Sequence, residues 1–394
     1  LTTASDNTSV GSGSLGLNTT GSNNTAVGRS ALVENTTGGD NVALGAYTLD
    51  ANTTGADNTA IGRSALGANT TGSDNVALGR SAALNITTAS DSVAIGHDAL
   101  YTEDTQSSLV AIGTAAMYKN NSGTENTAIG RSASYHNVTG VSNTAIGYVA
   151  LHNNTASNNT ALGTRALEAN TSGAENVAVG RNALDANTTA SNNIGIGSNS
   201  LGSNTTGDSN SSLGTFALQS STTGDSNCAF GRSALQNNTT ADNNAAFGRD
   251  ALKANTTGTQ NVAVGAYALD ANTTASNNTA VGYEALTANT TGTANVAVGR
   301  RALHVATTGS RNIGIGQGTL ESNTTASDNV VVGNGSMGYN TTGAGNTAVG
   351  SAALERNTTG NSNTAIGSYA LDANTTAGWN AAFGYEALTE NTTG

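Results

Sequence analysis

The feature that most constrains this chain is a glycine that recurs every seventeen residues. The series begins at Gly11, Gly28 and Gly45 and continues to Gly384, with one interval of sixteen after Gly147. A unit of this length cannot bury an apolar face alone, so successive units must stack on one another. The sequence therefore predicts one continuous repeat array over residues 1–394, an elongated rod that is a segment of a longer fibre with no visible capping domain.

Composition fits a thin core and argues against several partners. The chain has 50 glycines, no proline and 4% aromatic residues, too few bulky side chains for one thick globular core. Its net charge is −12 with only 14 lysines and arginines, so a nucleic-acid partner is not expected. The single cysteine, Cys228, excludes an internal disulfide framework. No apolar run approaches the about eighteen residues of a membrane span, so no membrane insertion is predicted for this segment.

Each unit favours short strands and turns over a helix. Asparagine, threonine, glycine and serine fill much of the unit, and these residues prefer turns to helix interiors. The run Thr25-Ala26-Val27 is too short for helical periodicity, and Gly28 ends it. The predicted fold is all-β, a parallel β-solenoid (β-roll) of about 23 coils with a repeat of seventeen residues.

Aligning the units gives two large apolar columns and two small ones. The large columns contain Val27 and Leu32 with their equivalents, and the small columns contain Ala26 and Ala31 with theirs. Adjacent residues of a strand face opposite sides, so large and small columns are expected to line different surfaces. We expect the small columns to form an exposed strip at which copies of the chain meet in a parallel homo-oligomer, because alanine permits close backbone approach.

Asparagine forms a further column four residues before the glycines. Asn24 and Asn41 begin it, and Ser92 and Leu109 interrupt it. Identical amides one coil apart can hydrogen-bond along the array, as they do in cross-β stacks. The repeated glycines are expected to provide either a positive φ or close backbone approach at the end of each strand. Local irregularity is expected over residues 83–130, where these columns are broken.

The motif Asn24-Thr25-Ala26-Val27-Gly28 recurs as Asn-Thr-Ala-Ile-Gly over residues 58–62 and as Asn-Val-Ala-Val-Gly over residues 176–180. It resembles the head repeat of trimeric autotransporter adhesins. The full unit, with Asn-Thr-Thr-Gly at residues 35–38, is similar to the repeat arrays of phage-type tail fibres and bacterial surface fibres. The resemblance implies a left-handed roll, three parallel chains side by side, and a binding role outside the cell, at the cell surface or on a virion.

Repeated columns do not supply the unlike, convergent groups that an enzyme needs, so no catalytic residue, metal site or cofactor is predicted. His136 and His152 occupy nearly equivalent turn positions, which leaves open a metal pair or two solvated histidines. Several carboxylates follow the leucine column and are interpreted as a solvated turn edge. They are Asp50, Glu168, Asp185, Asp270 and Asp372.

Arginine and tyrosine leave a second question open. Eight arginines directly follow the repeated glycine, and they either touch acidic glycans or act as solvated charges that discourage edge pairing. They are Arg29, Arg63, Arg80, Arg131, Arg181, Arg232, Arg249 and Arg300. Six tyrosines at the same or the next position could stack on sugars. They are Tyr47, Tyr148, Tyr267, Tyr283, Tyr369 and Tyr385.

The turn that follows most of the leucines contains a match to the N-glycosylation sequon. The turn is expected to be exposed, with the asparagine either glycosylated or bonded to backbone. The candidate acceptors are Asn18, Asn35, Asn52, Asn69, Asn187, Asn204, Asn238, Asn255, Asn272, Asn289, Asn323, Asn340, Asn357 and Asn374. The adjacent threonines point in different directions, which argues against a flat ice-binding face.

The sequence as a whole favours a structural fibre or stalk that gives reach and rigidity and serves attachment. The expected partners are further copies of the chain, in a trimer, and a cell-surface glycan or receptor. The alternative is a carbohydrate-binding or carbohydrate-depolymerising tail spike or adhesin that uses the surface of the rod.

Overall fold

The computed structural model describes residues 3–102 and 105–392. It is a parallel β-solenoid with a coil of about seventeen residues, and no helix occurs in the described part of the chain. This confirms the predicted fold class. The chain divides into two compact units, Leu1–Asn193 and Ile194–Gly394.

Every coil contributes one strand of three residues. The strands of the first unit are β1 (Thr8–Val10), β2 (Thr25–Val27), β3 (Val42–Leu44), β4 (Thr59–Ile61), β5 (Val76–Leu78), β6 (Val93–Ile95), β7 (Val110–Ile112), β8 (Thr127–Ile129), β9 (Thr144–Ile146), β10 (Thr160–Leu162) and β11 (Val177–Val179). Those of the second unit are β12 (Ile194–Ile196), β13 (Ser211–Leu213), β14 (Cys228–Phe230), β15 (Ala245–Phe247), β16 (Val262–Val264), β17 (Thr279–Val281), β18 (Val296–Val298), β19 (Ile313–Ile315), β20 (Val330–Val332), β21 (Thr347–Val349), β22 (Thr364–Ile366) and β23 (Ala381–Phe383).

Within each unit, every strand pairs in parallel with the next one along the chain, and equivalent residues stand opposite each other. In the first unit Ala26 pairs with Ala43, and in the second Ala263 pairs with Ala280. The register is kept through the single shorter interval, where Ala145 pairs with Ala161. The columns read from the sequence are therefore true ladders of stacked side chains.

The interior of a coil is lined by both small columns and by the leucine column. Ala26, Ala31 and Leu32 are fully buried. A Cβ atom placed on Gly314, the middle residue of β19, would lie 3.5 Å from Cδ1 of Leu303, so the strand packs directly on leucine. The expectation that the alanines form an exposed strip is therefore wrong, because the middle residue of each strand points into the narrow coil, where a small side chain fits against the leucine.

The glycine that ends each strand is required for two reasons. Gly28 has a φ of 141°, a conformation that residues with a side chain rarely adopt. A Cβ atom at this position would also lie 2.2 Å from the carbonyl oxygen of Gly45 in the next coil. The predicted positive φ and the predicted close backbone approach are thus both confirmed.

Residues other than glycine also take left-handed conformations in every turn. Ser30, Leu32 and Asp40 have φ values of 56°, 51° and 58°. Aspartate and asparagine tolerate this region, which explains their frequency just before the asparagine column. For a leucine the conformation costs roughly 1–2 kcal/mol. Complete burial of the Leu32 side chain, at about 1.5–3 kcal/mol, offsets this cost.

The column that begins at Asn24 is a buried hydrogen-bonded ladder, which we call the first asparagine ladder. The backbone N–H of Asn41 donates to Oδ1 of Asn24 at 3.0 Å, and Nδ2 of Asn41 donates to the same atom at 3.1 Å. The same Nδ2 donates to the carbonyl oxygen of Gly55 at 2.9 Å. The predicted stacking of amides is confirmed, and each amide also ties the strand to the opposite turn.

The predicted irregularity over residues 83–130 does not interrupt the strands. β5 to β8 continue in register through this region. Ile86 and Leu109 are fully buried and replace asparagines of two different ladders, so apolar side chains fill the space of amides there. Residues 103 and 104 lie outside the described residues.

Candidate functional site

The first and third residues of each strand point away from the coil, and we call this surface the outer strand face. It contains threonine, serine, cysteine and apolar residues, and no charged residue occupies it in β1 to β23 of the described chain. Leu44 and Phe247 are about two-fifths exposed, at 43% and 40%. Contiguous apolar surface repeated over many coils exceeds what soluble monomers usually leave in water.

Large and small residues are paired across the outer strand face. Phenylalanine occupies the third strand position only in β14, β15 and β23, as Phe230, Phe247 and Phe383. The first position of these same strands is Cys228, Ala245 and Ala381, the smallest apolar side chains in that column. Side chains in free solvent have no reason to compensate in volume. In β14, β15 and β23 the ring therefore stands beside a small side chain of the same layer, whereas β12 and β19 carry isoleucine at both positions.

The two inner phenylalanines reinforce their layers. Phe230 and Phe247 stack with ring centroids 5.3 Å apart, and Cys228 pairs with Ala245 beside them. Stacked rings of this kind contribute about 0.5–1.5 kcal/mol beyond their buried area. The two stacked rings therefore protrude from the outer strand face, and a row of small side chains lies beside them.

The arginines that follow the glycines are partly engaged with tyrosines of the next coil. The guanidinium carbon of Arg29 lies 4.6 Å from the ring centre of Tyr47, and that of Arg249 lies 5.0 Å from the ring centre of Tyr267. Arg131 contacts Tyr148 at 5.9 Å. These contacts give the arginines a structural role beside the two roles predicted, and they cover part of the aromatic surface on which a sugar could stack.

The structure brings His136 and His152 together, with ring centroids 5.5 Å apart and the planes nearly perpendicular. Burial, followed by the charge of Lys119 and the proximity of His152, lowers the pKa of His136. His152 stacks on Tyr135 at 5.1 Å. No group of three or more histidine, cysteine or carboxylate side chains in the described residues is placed to hold a metal ion.

The carboxylates after the leucine column are less solvated than the sequence suggested. Burial raises the pKa of Asp50, Asp185 and Asp270 above the usual range. One carboxylate oxygen of Asp270, and likewise one of Asp372, is buried without a hydrogen-bond partner among the described residues. Glu168 instead forms an ion pair with Arg165. The column is therefore a half-buried edge, and the interpretation as a solvated edge is wrong for these aspartates.

The sequon asparagines form a second buried ladder, the second asparagine ladder. Nδ2 of Asn52 donates to Oδ1 of Asn35 at 2.9 Å and to the carbonyl oxygen of Gly55 at 3.0 Å. Gly55 therefore accepts from both ladders and joins them. Both N–H groups of the amide point into the coil, where an attached glycan has no room.

The expectation that these acceptor asparagines are exposed is wrong for all but the first. Asn18 is half-buried. The fully buried acceptors are Asn35, Asn52, Asn69, Asn187, Asn204, Asn238, Asn255, Asn272, Asn289, Asn323, Asn340, Asn357 and Asn374. A glycan could reach these Nδ2 atoms only before the coil closes, and it would remove a hydrogen bond of the ladder.

Sequence reasoning missed a groove in the second unit. Gly318, Gly335 and Gly338 replace side chains in two turn columns that hold larger residues in most other coils. Together with their neighbours they line a cavity of about 460 Å³. The signal that could have revealed it is glycine at the same turn position of two adjacent coils, Gly318 and Gly335, with Gly338 beside them.

The chain matches no protein-family model and no curated protein sequence. The described part of the chain contains no helix with the length and hydrophobicity of a membrane span. Function is therefore inferred from the geometry of the outer strand face and of the groove.

Proposed function

We propose that the chain is a segment of a structural fibre or stalk whose copies associate in parallel through the outer strand face. The observation that carries this proposal is the volume pairing of Phe230 with Cys228 and of Phe247 with Ala245. A partner with the same seventeen-residue repeat, packed coil against coil, explains why a large and a small residue occur together in one coil. A second copy of this chain in the same direction and register has that property.

Association in register follows from the same pairing. In a parallel arrangement the coil with Phe230 meets the equivalent coil of the next copy, whose Cys228 leaves room for the ring. An antiparallel arrangement would bring β14 against a different strand, usually one with two branched residues. The resemblance to adhesin heads and tail fibres favours three copies, placed outside the cell, at its surface or on a virion, where the fibre gives reach and serves attachment.

The role proposed is structural rather than catalytic. Each ladder repeats one kind of side chain along a unit, whereas catalysis needs unlike groups converging on one reacting atom. The alternative of a carbohydrate-binding or carbohydrate-depolymerising spike needs a distinct pocket. The groove of the second unit favours the binding form of this alternative.

Charge placed on the two sides of one strand region tests the proposal. The combined change Val264→Glu, Val281→Glu and Val298→Glu should disperse the oligomer and leave folded monomers, because these residues point outward. The matched change Ala263→Glu, Ala280→Glu and Ala297→Glu should unfold the coils, because those alanines are fully buried and an unpaired buried carboxylate is costly.

Light scattering and circular dichroism read the two effects separately. The unaltered chain should scatter as a multiple of 38.7 kDa, with three copies expected. A folded monomer for the unaltered chain at micromolar concentration would overturn the proposal.

A further inference from the structure

The groove of the second unit is open because three glycines stand close together in two turn columns that carry side chains in most other coils. Gly335 occupies a turn column that holds tyrosine at Tyr267 and Tyr369. A Cβ atom placed on Gly335 would meet no atom within 4 Å, so the space in front of it is empty of protein. Gly318 and Gly338 extend this opening into the neighbouring coil and the neighbouring column.

The groove has the size and the lining of a ligand site. Its volume of about 460 Å³ falls in the range of pockets that hold small ligands, roughly 300–1,000 Å³. Besides the glycines, its lining includes the side chains of Arg301, Gln317, Glu321, Asn334, Tyr339 and Glu355.

One wall is fixed by an ion pair. Nη2 of Arg301 lies 2.9 Å from Oε1 of Glu321, and Nε of Arg301 lies 3.9 Å from Oε2 of Glu284 in the preceding coil. The arginine is thereby held across three coils. Its charge is balanced by these carboxylates, so the wall offers polar atoms at fixed positions without a net positive charge.

The charge balance limits the class of ligand. Arg300 and Arg301 are matched by Glu321 and Glu355 in the lining. Because these charges balance, neither a phosphate or sulfate nor a cation gains a net electrostatic attraction from the lining. The described residues contain no group of three metal-ligating side chains, so the groove is not built for a metal ion. An uncharged ligand remains.

The polar and aromatic side chains then specify a hydroxyl-rich ligand. Gln317 and Asn334 each offer an amide that both donates and accepts hydrogen bonds, and Glu355 adds an acceptor. Tyr339 is 59% exposed, so its ring is available for contact. A sugar presents hydroxyl groups at its rim and C–H groups on its faces, and both features find partners here. An amphipathic aromatic ring beside fixed polar groups suits such a ligand.

From this geometry we infer that the groove binds a neutral carbohydrate, a short segment of an uncharged glycan. The site lies in the turn columns of the coils that carry β18 to β21, whereas association uses the first and third strand residues. Carbohydrate binding therefore does not depend on the fibre proposal, and each can fail without the other.

Two substitutions test the site with the full chain. Gly335→Tyr fills the opening with a residue that the same column tolerates at Tyr267, where φ is 60°. Asn334→Ala removes one exposed amide of the lining. Ser64→Tyr is the matched control, because it makes the same kind of change in the same column of the other unit.

The probe is a printed array of neutral oligosaccharides beside sialylated and sulfated ones, followed by titration of any member that is retained. We expect retention of neutral members, loss of binding with Gly335→Tyr, a decrease of about tenfold with Asn334→Ala, and no change with Ser64→Tyr. The oligomer mass should be the same in all variants. Retention of acidic glycans only, retention of none, or binding that persists in Gly335→Tyr would overturn the inference.

Discussion

No described residue donates a hydrogen bond to Oδ1 of Asn289, because Ala306 stands in the next coil where the second asparagine ladder otherwise continues. The backbone is the same at the two positions. The N–H of Asn289 donates to the carbonyl oxygen of Leu286 at 3.3 Å, and that of Ala306 donates to the carbonyl oxygen of Leu303 at 3.2 Å. The ladder is thus interrupted by one side chain in an unchanged coil.

Restoring the missing amide should stabilise the second unit. In Ala306→Asn the new Nδ2 can donate to Oδ1 of Asn289, and the new Oδ1 can accept from Asn323. A net gain of about 0.5–1.5 kcal/mol is expected for a hydrogen bond made by a buried acceptor that was unpaired. Chemical denaturation followed by circular dichroism measures it.

The opposite change in an intact stretch is the matched control. Asn272→Ala removes a hydrogen bond of 2.8 Å to Asn255 and one of 3.0 Å to the carbonyl oxygen of Ala275. It should cost about 1–3 kcal/mol, because Oδ1 of Asn255 is left buried and unpaired. If both changes shifted the free energy of unfolding equally and in the same direction, or if Ala306→Asn lowered it, the ladder would not contribute to stability in this way.

Much of the fold could be predicted because the repeat fixes it. The glycine period gave the number of coils, and Gly28 had the conformation and the close contact expected of it. The first asparagine ladder was predictable because Asn24 lies next to the strand, where parallel stacking places identical side chains one above the other. These features depend only on period and local geometry.

The face of each strand that points into the coil could not be predicted from the alternation of large and small residues. A strand of three residues has one face with one residue and another with two, and alternation alone does not decide which face is inside. Ala26 is inside because Leu32, held at a φ of 51°, already fills the coil. A left-handed leucine is unfavourable for an isolated chain, so no local preference predicts it.

The second asparagine ladder was mistaken for an exposed turn for a related reason. Asn52 has the residue type and the neighbours of a surface turn, but its amide is turned inward to Asn35 and Gly55. The groove escaped prediction because a glycine such as Gly335 signals an absent side chain, and the column that it interrupts is recognisable only once the coils are stacked.

The volume pairing of the outer strand face should appear as coupling between residues in the oligomer. Phe230→Val and Cys228→Val are each expected to weaken association, the first by leaving a gap and the second by overfilling the layer. The double change recreates the two-valine pattern of β16 and should recover most of the affinity. A coupling of about 0.5–3 kcal/mol is expected, measured from the concentration dependence of the oligomer mass.

The reciprocal cycle in β16 checks the direction of the effect. Val264→Phe should weaken association, and adding Val262→Ala should restore it, since the result reproduces the pattern of β15. Additive effects in both cycles would mean that the outer strand face is not packed against a partner.

Acidic pH should favour folding of the coils that carry half-buried aspartates. Burial raises the folded-state pKa of Asp50, Asp185 and Asp270 above the ordinary value of 3.8. Below that value both states are protonated. As the pH rises from 3.8 through the raised pKa, the unfolded state releases its protons first, and the contribution of each group to stability falls. The combined change to asparagine at these three positions should therefore raise the melting temperature at pH 7 and leave it unchanged at pH 3.

Removal of charge at exposed positions separates this effect from a general decrease in negative charge. Asp57, Asp74 and Asp91 are exposed and adopt left-handed conformations that asparagine tolerates. Their combined change to asparagine removes the same number of charges from a chain of net charge −12. Thermal melting of both triple variants at pH 3 and pH 7 makes the comparison. If the exposed set raises the melting temperature at pH 7 as much as the half-buried set, long-range repulsion and not burial controls the pH dependence.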